Sequence, residues 1–204
     1  MTQVVDTYSR SFLRDAMTIC ERLDDATVEA VAAVLAEVKA AAGRLFLCGS
    51  GGGAGHASHA ASDFRKIVGI ESYCVTDNVT ELTARINDEG WDTCYADWLR
   101  ASRLRAKDCL FVFSVGGGDA ARAISAQLVG AVDYARVVGA RVVGVAGRDG
   151  GHLARVADAC VIIPTVNAAS VTTQTEGFQA VIWHLLVGHP LLGADRPKWE
   201  SVTG

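Results

Sequence analysis

Apolar residues recur at Val5, Tyr8, Phe12, Ala16, Ile19 and Leu23, close to a helical period, and again at Val28, Val31, Val34, Leu35 and Val38. Two amphipathic helices are therefore predicted over residues 5–23 and 27–42. Asp24, Asp25 and Thr27 between them can accept hydrogen bonds from the free N–H groups of a helix start, and Gly43 stands where helices commonly end. From Arg44 the pattern changes to short apolar runs at 45–48, 73–75, 110–114, 142–146 and 160–164, separated by helical stretches. The last four are nearly continuous in apolar residues, as strands covered on both faces are. The expected fold class is α/β, a five-stranded parallel sheet sandwiched between helices and preceded by two N-terminal helices.

Composition narrows the class without changing it. At 204 residues, 50% hydrophobic and 21% charged, the chain can bury a substantial core as a single domain. It divides into residues 1–43, two helices suited to packing on another subunit, a core over 44–190, and a tail over 191–204 expected to wrap the surface. A formal charge of -4 with no basic run points away from nucleic acid and anionic membranes as partners. Asp6, Arg10, Arg14 and Asp15 interrupt the N-terminal apolar positions, so neither a signal peptide nor a membrane span is expected. The six cysteines have no CxxC spacing and several sit in apolar runs, which fits free thiols in a reducing, cytoplasmic setting.

Two glycine turns carry the candidate chemistry. The first, Gly49 to Gly55 after residues 45–48, contains Ser50, Gly51, Gly52 and Gly53 and leads into a polar helix, leaving backbone N–H groups open to a ligand. The second, Ser114 to Asp119, repeats the arrangement, with Asp119 expected to cap a helix running to about Gly139. Two such turns in one sheet suit an anionic or hydroxyl-rich ligand. Ser114 would equally serve to close its own turn, and Asp119 to cap and nothing more. His59 and Asp63 fall four apart on one helix, and Glu176 and His184 lie eight apart near one stripe of another. Two histidines and two carboxylates suit zinc or a similar divalent ion. The alternative is a histidine at the edge of an apolar helix and a glutamate at a helix start. His56, His152 and His189 read as surface or loop residues.

Taken jointly, the turn 48–52, His59-x3-Asp63, Asn87-Asp88, the turn at Ser114, residues 147–151 and Glu176-x7-His184 resemble the sugar isomerase (SIS) domain proteins, and among them the phosphoheptose isomerases. The resemblance covers nearly the whole chain. It implies a homotetramer acting on a sugar phosphate, one zinc or other divalent ion per subunit, and conversion of sedoheptulose 7-phosphate to a heptose 7-phosphate through an enediol. By position it implies Asp63 and His184 as the catalytic pair and His59, Asp63, Glu176 and His184 as metal ligands. Ser50, Gly51, Gly52, Gly53, Asp88, Ser114, Gly116, Asp119 and Thr173 would bind substrate.

This chain departs from the family in three places. Asp63 replaces a glutamate, Glu176 replaces a glutamine, and the hydroxyl-rich phosphate loop has become Ser114-Val115-Gly116-Gly117-Gly118-Asp119. An unpaired carboxylate about 4 Å from a phosphate charge costs on the order of 4 kcal/mol at an effective dielectric of 20. Asp119 must then turn away, pair with a cation such as Arg122, or face a ligand lacking phosphate there. Two further readings follow: an isomerase or epimerase of a differently phosphorylated or free sugar, and a non-catalytic module that binds a sugar phosphate or a partner.

Overall fold

The structure, a computed structural model, describes residues 7–193. Helix α1 (Tyr8–Arg22) starts where the Thr7 hydroxyl accepts the Arg10 N–H, and α2 (Asp25–Ala40) where Asp24 accepts that of Ala26. Val5 and the tail beyond Gly193 lie outside the described residues. The end of α2 differs from expectation in its detail. The left-handed residue is Ala42, φ 50, while Gly43 donates its N–H to Val38 O at 2.9 Å. Glycine is needed at 43 because a Cβ there would lie 2.0 Å from the Lys107 carbonyl oxygen.

The core follows as β1 (Leu45–Gly49), α3 (Gly52–Asp63), β2 (Ser72–Cys74), α4 (Val79–Asp88), α5 (Cys94–Ala101), β3 (Cys109–Ser114), α6 (Ala126–Val138), β4 (Arg141–Ala146), α7 (Gly151–Val156), β5 (Ala159–Ile162) and α8 (Val171–Val187). All four pairings are parallel, in the order β2-β1-β3-β4-β5. Alternation divides the core. Leu45, Leu47, Phe111, Phe113, Val143 and Val145 pack with α2, α3 and α8, whereas Phe46, Cys48, Leu110, Val112 and Val142 pack with α5, α6 and α7.

Chain order reverses between β1 and β3, the place where parallel sheets open a crevice beyond the carboxyl ends of their strands. The opposite ends of these strands are clasped by a buried ion pair. Asp108 accepts the Arg44 backbone N–H at 2.9 Å, its guanidinium at 2.7 Å and the Arg105 N–H at 3.0 Å. The entry to β3 is thus fixed against the entry to β1.

The helix expected from Asp119 begins later, at Ala126, although it ends at Gly139 as predicted. Asp119 does accept the Arg122 N–H, as a cap would, at 3.1 Å. Asp119 and Ile124 then exchange backbone hydrogen bonds of 2.9 and 3.0 Å, which closes a loop and delays the helix.

Candidate active site

The glycines after β1 have separate tasks. Gly51 takes φ 56 at the N-cap of α3, and Gly53 is buried where a Cβ would meet the Phe113 carbonyl oxygen at 2.7 Å. The first turn of α3 therefore sits directly against the end of β3. A Cβ on Gly52 would lie 2.5 Å from the Glu176 carboxylate, so that side chain stands over the start of α3. The Ser50 hydroxyl accepts a hydrogen bond from Gln127, which is itself buried.

Helix α8 runs beside α3, and the two carry a strip of titratable groups. From the Glu176 carboxylate at Gly52 the strip continues through His56 and His59 to Asp63 and His184. His59 Nε2 lies 3.6 Å from Asp63 Oδ2, and the His59 and His184 rings stand at 90° with centroids 5.6 Å apart. Donor atoms of His59, Asp63 and His184 all lie within 4.8 Å of one another. Glu176 is outside that trio. The His184 ring stacks on Trp183, and its Nδ1 lies 2.7 Å from the Ala180 carbonyl oxygen. A proton on Nδ1 donated to that carbonyl leaves the Nε2 lone pair for a metal or a substrate proton.

His56, read from the sequence as a surface or loop residue, is instead a half-buried member of this strip on α3. Burial holds its ring below the ordinary histidine range, with the Glu176 charge acting in the opposite direction. The signal was present in the sequence: positions 56, 59 and 63 are spaced three and four apart, one helical face. Asp63 is the last residue of α3, and a π turn over Phe64–Val68 follows it immediately. His152 and His189 are peripheral, paired with Asp133 at 2.6 Å and Glu29 at 3.2 Å.

A cavity of about 850 Å³ opens beyond β1 and β3, lined among others by Ser50, Ser114, Gly116, Asp119, Arg122 and Arg148. Asp119 pairs with Arg122, Nε to Oδ2 2.7 Å, and this hydrogen bond holds its carboxyl below the usual carboxylate range. The carboxylate thus has its own cation, one of the three outcomes set out from the sequence. Thr173 and Asp88 are exposed and do not line the cavity. The Thr173 hydroxyl donates to Ser170 O, and Asp88 accepts the Asn87 amide. Nor do His59, Asp63, Glu176 and His184 reach it from within one chain.

The SIS domain profile matches residues 8–147. The chain belongs to the SIS domain family. A phosphoheptose isomerase of Rhodospirillum rubrum is 32% identical over 192 residues, spanning 90% of this chain and 93% of its own. The lincomycin biosynthesis protein LmbN of Streptomyces lincolnensis is 32% identical over 198 residues, 92% of this chain and 68% of that protein. Among solved structures, the phosphoheptose isomerase GmhA of Neisseria gonorrhoeae superposes with a TM-score of 0.74 at 25% identity, covering 86% of this chain and 90% of that one. These likenesses put the chain in the phosphoheptose isomerase branch of the SIS family and make it an isomerase.

Proposed function

We propose that the protein interconverts a ketose and an aldose phosphate of the sedoheptulose 7-phosphate type, with Asp63 and His184 moving the proton. The observation that carries the reading is the convergence of His59, Asp63 and His184 within 4.8 Å on the two helices that flank the first glycine turn. In the ketose-to-aldose direction a base removes a proton from C1, the electron pair forms the C1–C2 double bond as the C2 carbonyl oxygen takes up a proton to give an enediol, and the O1–H proton then leaves as the C1 aldehyde forms and an acid delivers a proton to C2. An Asp63 carboxylate can accept that proton and a protonated His184 can supply one, or the roles can be exchanged. His59 Nε2 stands 3.6 Å from the Asp63 carboxylate, one turn away on the same helix face.

The trio also fits a divalent ion, since it offers two imidazoles and a carboxylate, the donor types zinc prefers, and Nδ1 of His184 is already turned to a carbonyl. Such an ion, one per subunit, would be held by His59, Asp63 and His184 and would polarise the substrate carbonyl as a Lewis acid, and whichever of Asp63 and His184 carries the proton would have to release it. Glu176, expected as a fourth ligand, stands instead at Gly52 at the other end of α3. A homotetramer is part of the same proposal. Exposed Leu13 and Met17 on α1, and Val181 and Leu185 beside His184 on α8, offer apolar surface for it.

The test is incubation with sedoheptulose 7-phosphate in D2O, followed by proton NMR. Aldose should appear with deuterium at C2, and Asp63→Asn and His184→Ala should each slow it by about 10²- to 10⁴-fold. No aldose with zinc supplied would sink the proposal. The loop glycines and Asp119 favour one alternative, a sugar with a different or absent phosphate, which turnover of free against phosphorylated sugars decides.

A further inference from the structure

The cavity beyond β1 and β3 shows how it can hold an anion without the hydroxyls its loop lacks. Gly116, Gly117 and Gly118 bring no side-chain donor, and the Ser114 hydroxyl accepts the Gly117 N–H at 2.9 Å, closing its own turn. Three arginines line the same cavity, Arg122, Arg148 and Arg155. Asp119 occupies Arg122. Among the described residues, the guanidinium groups of Arg148 and Arg155 have neither an ion-pair nor a hydrogen-bond partner. The other lining carboxylate, Asp149, accepts the Gly151 N–H at 3.2 Å.

Arg148 holds φ 55 as the second residue of the turn that the Gly150 N–H closes onto the Gly147 carbonyl oxygen at 3.0 Å. Its Cδ lies 3.9 Å from where a Cβ on Gly116 would stand, so the arginine stem crosses the bare glycine loop.

We propose that Arg148 and Arg155 form the anion-binding wall of this cavity and take the phosphate of a phosphorylated sugar with guanidinium forks in place of loop hydroxyls. Two unpaired guanidinium groups match a phosphate dianion in charge, and each presents paired N–H donors to its oxygens. Arg122 is withheld by Asp119, which sets the affinity below what three free arginines would give. The inference rests on reading the cavity as the seat of a sugar phosphate, but its test does not require turnover.

Inorganic phosphate, titrated into the full chain and followed by phosphorus-31 NMR, is the probe. The unaltered protein should bind it. Arg148→Gln and Arg155→Gln, both at exposed positions, should each weaken binding about 10- to 100-fold, as expected for lost charged hydrogen bonds. Asp119→Asn should tighten it by freeing Arg122. The idea is overturned if the unaltered chain does not bind phosphate, if both arginine variants bind it as well as the unaltered chain, or if Asp119→Asn weakens binding. Arginine-dependent binding without turnover of any sugar would remove the isomerase reading alone. Unchanged KM for a sugar phosphate in the Arg148→Gln, Arg155→Gln double variant would remove this one alone.

Discussion

His184→Ala tests the metal reading most directly. Zinc held tetrahedrally with bonds of about 2.05 Å places its ligand atoms roughly 3.3 Å apart. His59 Nε2 and Asp63 Oδ2 are 3.6 Å apart, and the whole trio lies within 4.8 Å. Closing the widest gap therefore takes at most about 1.5 Å, within reach of a side-chain rotation. An ion at 100 times its dissociation constant stabilises the fold by about 2.7 kcal/mol. For a chain of this length that raises Tm by roughly 5–10 °C. The His184 imidazole is exposed, so its loss should move the metal-free Tm by less than about 3 °C. Removing a mere supporting partner of a ligand weakens metal binding about 10- to 100-fold, and removing a ligand more. At the same zinc concentration the variant should keep a shift of only about 1 °C. Calorimetry of both proteins with and without zinc measures this. A full shift in the variant, or none in the unaltered chain with ample zinc, would refute the reasoning.

Three other outcomes are expected. Asp108→Ala, which removes the counter-charge of the Arg44 guanidinium and the acceptor of the Arg44 and Arg105 backbone N–H groups, should cost about 3–5 kcal/mol in urea unfolding without touching the candidate site. His56 is held below its ordinary pKa, so the unfolded chain binds the proton more readily. Stability should be fully present above about pH 6.5 and fall as pH drops through the lowered value, a slope that His56→Gln should flatten in unfolding curves at pH 7.5 and 5.5. Burial raises the Cys74 thiol to about 11 and the Cys160 thiol to about 12, and pushes Cys48 and Cys109 up as well, whereas Cys20 is exposed. A thiol reagent at pH 8 should therefore label Cys20 first, with the buried cysteines following only on unfolding.

The sheet was legible because strands buried on both faces leave long apolar runs, and each predicted strand matches an observed one to within two residues at either end. The His59–Asp63 face was legible because helical spacing fixes which side chains share a side. Asp119 misled because its contact with the Arg122 N–H is the one a cap makes, and only the backbone exchange with Ile124, set by tertiary structure, decides that no helix follows. His56 was missed by weighing each histidine singly rather than by its phase on α3. Arg148 and Arg155 could not be assigned from sequence, since what distinguishes them is the lack of a partner in space.

The clasp of Arg44 on Asp108 gives the sheet an uneven stiffness. It binds β1 and β3 where both strands begin, through a carboxylate with three donor groups, whereas both strands leave the sheet into glycine turns. A carboxylate held by three donors, itself fully buried, is the kind of contact that gives way only when its surroundings unfold, so hydrogen exchange at the Arg44 and Arg105 amides should track global unfolding. The glycine turns rest closely on one another, a Cβ on Gly53 meeting the Phe113 carbonyl oxygen at 2.7 Å and one on Gly117 the Gly150 carbonyl oxygen at 1.7 Å, so the freedom at that end lies in the side chains around the rim. A fold anchored at its floor can thus exchange the residues around its rim, hydroxyls for arginines among them, without renegotiating its core.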